Sequence, residues 1–417
     1  IVMNIIQWAI WGAYLTSMGQ YLGSVGLGSR ISIFYAMQGI VSMFMPALMG
    51  IVADKYIPAQ KLLGYCHGIA GAAMTAAAAY CMTSDTIAFG ILFSLYSISV
   101  AFYMPTIALS NSVAFKILSD NGYDPVKDFP PIRVFGTVGF IASMWIVNFM
   151  TNGDGVSFQK TYDQFFVSGA LGLMMLVYCF TLPNCPCRQE SGVDQTLAQR
   201  FGLDAFQLFK NGNMATFFIF SMLLGMALQI TNSYATPFIE HFTQTPEFAD
   251  TWGAKNPVAL YSISQISETL GILLIPIAMR FFGIKKVMLI AMFAWVLRFG
   301  LFGAGDTGSG LWMLVVSMIV YGVAFDFFNI SGALYTNMRT SEKIQNSAQG
   351  LFMLMTNGIG ATVGTLGAQA VMNHYVYNAA TPDWSTPWYI FAGYAFVVGI
   401  LFMILFKQPA NPEEKVA

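Results

Sequence analysis

Long apolar stretches, separated by short polar segments, run along the whole chain. Each stretch has roughly 20 residues, the length that crosses a hydrocarbon layer of about 30 Å as an α-helix. The pattern predicts twelve membrane-spanning helices, at residues 1–24, 30–53, 61–82, 85–117, 131–151, 161–182, 213–240, 257–280, 285–305, 309–338, 346–373 and 386–407. The first stretch is rich in Trp and Tyr and has no small-residue cleavage site, so a removable signal peptide is not expected.

The most polar internal connection divides these spans into six and six. It predicts an N-terminal half at 1–182, a cytoplasmic linker at 183–212, a C-terminal half at 213–408 and a tail at 409–417. Gln38 and Glu268 each precede a proline by eight residues, and Tyr103 and Asp326 each follow the tripeptide Val-Ala-Phe. Two parallel six-helix halves of this kind predict a substrate site at their mutual interface near the midplane.

The basic residues predict the orientation. Most of them fall in or beside the loops after even-numbered spans or in the tail: Lys55, Lys61, Lys116, Lys127, Arg188, Arg200, Lys210, Arg280, Lys285, Lys286, Arg339, Lys343, Lys407 and Lys415. Three others, Arg30, Lys160 and Lys255, fall on the opposite side. By the positive-inside rule both termini are cytoplasmic.

Composition supports the membrane assignment and excludes other classes. The chain is 56% hydrophobic and 9% charged, whereas a soluble domain carries roughly 25% charged residues. A net charge of −1 leaves no basic excess for nucleic acid. Cys185 and Cys187 lie in a C-P-C stretch without further ligands nearby, so we expect reduced thiols and no metal site.

Two carboxylates, Glu268 and Asp326, lie in the middle of apolar stretches. Placing a charged side chain at the centre of a bilayer costs at least about 2.5–3.5 kcal/mol of free energy. Its presence there therefore indicates a functional role, usually in the movement of a solute or a proton. Desolvation favours the protonated form of such an acid, and a nearby arginine such as Arg133 favours the carboxylate. The hypothesis is therefore that Glu268, Asp326 or both carry a coupled proton.

Polar and aromatic residues recur at helical spacing around these acids and so share helix faces. The sets are Arg133, Thr137 and Phe140; Gln229 and Asn232; Tyr261, Gln265 and Glu268; and Tyr321, Phe325, Asp326 and Asn329. Amides suit a ligand with many hydroxyl and carbonyl groups, and aromatic rings suit a flat heterocycle. A nucleoside has both parts, although amides also serve as plain interhelical hydrogen bonds and aromatics as packing.

For each of three charged residues the sequence allows two different roles. Arg133 follows Pro130-Pro131 and is either a helix-start charge at the cytoplasmic surface or an interior residue. Arg298, deep in the ninth span, is structural or snorkels outward. Asp54, in Gly50-Ile-Val-Ala-Asp54-Lys55, resembles part of the loop signature of the major facilitator superfamily; it holds the cytoplasmic gate by capping a helix, or is a solvated topological charge.

Enzyme motifs are missing from the sequence. It has no H-E-x-x-H pair, no G-x-S-x-G elbow and no glycine-rich loop ending in Gly-Lys-Ser/Thr. We therefore expect neither an enzyme nor an ATP-driven pump. A channel is the second class to test, but the sequence has no carbonyl-filter motif.

Several segments closely resemble the bacterial nucleoside:proton symporters of the major facilitator superfamily, the nucleoside permease type. They are Phe129-Pro-Pro-Ile-Arg133-Val-Phe-Gly-Thr137-Val-Gly-Phe140, Phe217-Phe-Ile-Phe-Ser-Met-Leu-Leu-Gly, Leu228-Gln-Ile-Thr-Asn232, Ser262-Ile-Ser-Gln-Ile-Ser-Glu-Thr-Leu270 and Ala324-Phe-Asp-Phe-Phe-Asn-Ile-Ser-Gly332. The resemblance covers nearly the whole chain. The C-P-C stretch, most of the linker, the loop at 242–256 and the tail depart from it.

The resemblance implies proton-driven uptake of nucleosides across the bacterial inner membrane by a monomeric carrier of alternating access, with the proton gradient in place of any cofactor. It implies a substrate site of Arg133, Thr137, Phe140, Gln229, Asn232, Gln265, Glu268, Tyr321, Phe325 and Asp326. Relatives differ in preference, for example towards xanthosine, so the substrate range stays open. The alternative is a proton symporter of the same fold for a sugar or another small polyhydroxylated solute.

Overall fold

Helices make up all the regular structure in the described residues, apart from one isolated antiparallel bridge between Thr151 and Ser157. The computed structural model describes residues 1–187, 203–341 and 344–407, without the side chains of 54, 125–127, 130, 203, 204, 345 and 346. The chain divides into two units, Ile1–Asp194 and Gln195–Ala417. The all-α prediction is confirmed.

The first unit contains seven α-helices in its described part. They are α1 (Val2–Gly12), α2 (Met18–Ser24), α3 (Ile31–Lys55), α4 (Ala59–Thr83), α5 (Phe89–Asp120), α6 (Pro125–Phe149) and α7 (Asp163–Cys179), with short 3-10 turns at Gly28–Arg30 and Phe158–Lys160. In this unit α1 packs on α6 and α7, α4 packs on α5 and α7, and α3 packs on α5.

Buried polar side chains join three helices of the first unit. The Gln7 side chain donates to Thr106 Oγ1 at 2.8 Å, and its Oε1 lies 2.7 Å from His67 Nε2. The Tyr103 hydroxyl donates to the Gln7 carbonyl at 2.7 Å. These bonds satisfy polar groups that would otherwise be costly to bury in hydrocarbon.

The second unit continues the numbering. It contains α8 (Gly212–His241), α9 (Trp252–Lys255), α10 (Pro257–Tyr261), α11 (Ile263–Ala304), α12 (Leu311–Arg339), α13 (Gln345–Met353), α14 (Ala361–Met372) and α15 (Ser385–Leu405), with 3-10 segments at Leu203–Lys210 and Phe242–Gln244 and π-helical segments at Leu354–Gly360 and Asn373–Tyr377. Here α11 packs on α12 and α15, and α8 packs on α14.

Polar side chains mark where the second unit's helices begin. The Asn211 side chain accepts from the backbone N–H groups of Asn213 and Met214 at the start of α8. Asp383 accepts from the backbone N–H groups of Ser385 and Thr386 before α15. The Thr386 hydroxyl also donates to Asp383, and these bonds lower the pKa of its carboxyl because they favour the charged form.

The twelve predicted spans correspond to these helices with local differences. The first span is broken between α1 and α2. The eighth and ninth are joined in α11, where Gly283, at a φ of 73°, interrupts the helical geometry between them. The eleventh consists of α13, a π-helical segment and α14. Nine segments of the described residues are long and apolar enough to span a membrane, and one of these covers both the eighth and ninth spans.

The fold-class prediction is thus confirmed, while the predicted boundaries of halves, linker and tail stay predictions. Residues 188–202 of the predicted linker and the tail at 409–417 lie outside the described residues. Asp54 lies in the last turn of α3, but its side chain lies outside the described part, so the gate also stays a prediction.

Candidate functional site

The two intramembrane acids lie on neighbouring helices of the second unit, Glu268 on α11 and Asp326 on α12. Asp326 is only 4% exposed and Glu268 is half-buried. Their charges act on each other, and both act on the hydroxyl of Tyr321. Asp326 Oδ2 has no hydrogen-bond partner among the described residues. The acids therefore form one electrostatic group within the second unit.

Close packing of two glycines brings α11 and α12 together beside these acids. A Cβ built on Gly322 would lie 2.2 Å from the Ser267 carbonyl oxygen, and one on Gly271 would lie 2.8 Å from the backbone of Gly322. The Gly322 N–H also donates to Ser267 Oγ at 3.2 Å. Small residues allow such close helix contact in membranes. The glycine pair thus sets the separation of Glu268 and Asp326.

The predicted amides of α8 are hydrogen-bonded to each other and to α10. Asn232 Nδ2 donates to Gln229 Oε1 at 3.0 Å, and the Tyr261 hydroxyl donates to Asn232 Oδ1 at 3.1 Å. Gln265 is buried one turn before Glu268 on α11. The two amides of α8 therefore have a defined orientation, which is what recognition of a polar ligand requires.

Two aromatic rings of α12 form a flat pair next to the acids. The rings of Tyr321 and Phe325 are stacked, with centroids 5.5 Å apart and planes at 7°. Tyr321 is buried, whereas Phe325 is half-buried. Phe325 can therefore present a flat apolar surface to a ligand, and Tyr321 supports that surface from behind.

A small cavity beside Phe325 contains a polar residue that the sequence did not single out. The cavity is lined by Leu224, Gly225, Leu228, Trp295, Ala324, Phe325, Phe328, Asn329, Thr356 and Asn357. Asn357 Oδ1 is buried and has no partner among the described residues. The signal in the sequence is the adjacent polar pair Thr356-Asn357 in the middle of the eleventh span.

The first unit carries the other three predicted site residues on α6. Arg133 lies in the third turn of this helix, so it is not a helix-start charge, and its guanidinium lies 3.8 Å from the centre of the Trp8 ring. The ring centres of Phe140 and Trp11 lie 6.4 Å apart in an edge-to-face arrangement. Thr137 lies between Arg133 and Phe140 along α6. The sequence places both tryptophans in the first predicted span but gives no sign of these contacts.

Arg298 is fully buried in the second unit, at 0% exposure, so it does not snorkel outward. Its guanidinium lies 4.5 Å from the centre of the Tyr321 ring. It also donates to the Ser317 carbonyl oxygen at 2.8 Å. The arginine therefore lies directly behind the aromatic pair of the site.

Comparisons with known proteins identify related membrane transporters. The family described as "Nucleoside H+ symporter" matches residues 1–411. The chain is 41% identical to the xanthosine permease of Escherichia coli (strain K12), over 99% of this chain and 96% of that protein. It is 43% identical to the nucleoside permease NupG of the same strain, over 97% of this chain and 94% of that protein.

Solved structures show the same fold. The crystal structure of nucleoside transporter NupG matches with a TM-score of 0.88 and 41% identity, covering 98% of each chain. A D-xylose-proton symporter matches with a TM-score of 0.70 but only 12% identity, over 99% of this chain and 98% of that one, and so supports the fold alone.

The fold and these matches define a membrane transporter, and not an enzyme. The expected family is confirmed as well: the chain belongs to the nucleoside H+ symporter family.

Proposed function

We propose that this chain takes up nucleosides together with protons across the bacterial inner membrane, by alternating access and with both termini in the cytoplasm. One observation supports the proposal most directly: the second unit combines two interacting acids, oriented amides and a stacked aromatic pair. Proton coupling needs the acids, and a nucleoside needs both a polar and a flat apolar surface. Family membership supports the same conclusion.

Glu268 and Asp326 carry the coupled proton. Two carboxylates that act on each other in a poorly hydrated place resist simultaneous ionisation, so they share protons as a pair. The matching positions of the first unit are neutral: Gln38 donates to the Tyr96 hydroxyl at 2.8 Å, and Tyr103 donates to the Gln7 carbonyl. This asymmetry supports assigning proton coupling to the second unit.

Three amides and the aromatic pair contact the nucleoside. Gln229, Asn232 and Gln265 offer hydrogen bonds to its polar edges, and Phe325 packs on its base with Tyr321 behind it. We assign the α6 set, Arg133, Thr137 and Phe140, to the ligand as well. Asp54 as a gate and a monomeric carrier complete the proposal.

Uptake into proteoliposomes tests the function. Labelled uridine should accumulate above its external concentration when an inward proton gradient is applied, by up to about tenfold per pH unit for one coupled proton, since a pH unit is worth about 1.4 kcal/mol. An uncoupler should remove the accumulation. Accumulation that is insensitive to the uncoupler contradicts symport, and unitary currents would indicate a channel.

Phe325→Ala should raise the KM for uridine roughly 5- to 150-fold, because loss of base stacking costs about 1–3 kcal/mol. Inhibition of uridine uptake by free ribose, which has no base, should be the same in the variant and the wild type. The measurement is initial uptake rate against uridine concentration, with ribose as competitor. A transporter built for sugars would show the reverse: strong inhibition by ribose and little effect of Phe325→Ala.

A further inference from the structure

A chain of three hydrogen bonds links Arg298 to Gln229 within the second unit. Arg298 Nη2 donates to the Tyr261 hydroxyl oxygen at 3.4 Å. That hydroxyl donates to Asn232 Oδ1 at 3.1 Å, and Asn232 Nδ2 donates to Gln229 Oε1 at 3.0 Å. The chain, which we call the Arg298 relay, therefore runs from α11 through α10 to α8.

The arginine determines the direction of the relay, because a guanidinium has only donors. Tyr261 accepts from it, and the hydroxyl proton is then available to Asn232 Oδ1, 3.1 Å away. Asn232 then accepts on its oxygen and turns its NH2 group to Gln229, whose oxygen is thereby occupied. A relay of hydroxyl and amide groups alone could run either way, since each of these groups both donates and accepts.

Arg298 is well held for this role. Besides the relay, it donates to the Ser317 carbonyl oxygen and to Ser264 Oγ, and its guanidinium lies over the ring of Tyr321. Among the described residues none of its hydrogen bonds goes to a carboxylate. Burying a cation without a direct ion pair is costly in a membrane protein, so its presence indicates a functional role.

We propose, on the basis of the nucleoside transport proposed above, that Arg298 is a positioning residue that makes Gln229 a hydrogen-bond donor to the ligand. The Gln229 oxygen is occupied, whereas its NH2 group donates to no group in the described part of the chain. Gln229 is half-buried and hence within reach of a solute. Gln229 therefore selects a ligand atom that accepts a hydrogen bond: a base carbonyl oxygen, a ring nitrogen without hydrogen, or a hydroxyl oxygen.

The test compares uridine with analogues that each lack or weaken one acceptor: 2′-deoxyuridine, 3′-deoxyuridine, 5′-deoxyuridine, 2-thiouridine and 4-thiouridine, as inhibitors of labelled uridine uptake. In the wild type at least one analogue should bind about tenfold more weakly than uridine, because it leaves the Gln229 donor unpaired. Tyr261→Phe breaks the relay but keeps the ring, so Gln229 can reverse. We expect the difference to fall to about threefold or less.

Arg298→Gln should have the same effect on selectivity. Tyr394→Phe is the matched control, because it removes another tyrosine hydroxyl of this unit, one that donates to the Leu223 carbonyl at 2.7 Å outside the relay. It should keep the wild-type selectivity. If Tyr261→Phe also keeps it, or if the wild type does not discriminate among the analogues, the relay does not orient Gln229 and the proposal is wrong.

A measurement without ligand separates this proposal from the proposed function. If the wild type takes up no uridine, the function is wrong, and the relay is then judged from the thermal unfolding of ligand-free protein in detergent. The losses of Tm in Arg298→Gln and Tyr261→Phe should be clearly non-additive in the double variant, because both break the same relay. Additive losses would overturn the relay.

Discussion

Asp326→Asn should abolish the accumulation of uridine against its gradient while leaving exchange of labelled for unlabelled uridine at about the wild-type rate. Asparagine keeps the size of the side chain but cannot take up or release a proton. Because Asp326 is 4% exposed and interacts electrostatically with Glu268, we expect Glu268→Gln to reduce the accumulation of uridine as well. The measurement is uptake into proteoliposomes under an inward proton gradient, followed by counterflow without one.

The control for this prediction is Glu247→Gln, which removes an exposed carboxylate of the same unit outside the site. It should accumulate uridine like the wild type. If both Asp326→Asn and Glu268→Gln still concentrate uridine in response to the proton gradient, neither acid is required for coupling. If both acid variants lose exchange as well, the acids are needed for the transport cycle itself and the specific role in coupling is wrong.

Much of the architecture was predictable because bilayer thickness imposes a length on each apolar stretch. The twelve stretches correspond to helical segments in the structure, including the two that meet at Gly283. Departures occur where backbone geometry changes inside a stretch that is apolar on average. Hydropathy is averaged over many residues, so it detects neither the break after α1 nor the π-helical turns of Leu354–Gly360.

The candidate site was predictable as helix faces but not as contacts. Spacing places Tyr261, Gln265 and Glu268 on one side of a single helix, but in the structure Tyr261 ends α10 and the other two lie in α11. Spacing also cannot tell which helices face these residues. The contact between Arg298 and Tyr321 could therefore be found only from the packing of α11 against α12 in the structure. The same holds for Trp8, which lies against Arg133 only because α1 packs on α6.

Gly322→Ala should have the second-largest effect. The new Cβ would lie 2.2 Å from the Ser267 carbonyl oxygen, which belongs to a helix backbone and cannot move aside by rotation. α11 and α12 must therefore separate, at a cost of roughly 1–3 kcal/mol for overpacking. Because Glu268 lies next to Ser267, and Asp326 one turn after Gly322, the separation also displaces the acids. A shift of about 1 Å can reduce a rate by roughly 100-fold.

We therefore expect a lower Tm in detergent and at least about a tenfold loss of proton-driven uptake for Gly322→Ala. Gly393→Ala is the matched control, since apart from its own helix backbone and chain neighbours no atom lies within 4 Å of the added methyl group there. In a helix this change should leave stability equal or slightly higher, because alanine favours the helix by about 1 kcal/mol over glycine. Wild-type uptake by Gly322→Ala would show that the spacing of α11 and α12 does not determine how the two acids work.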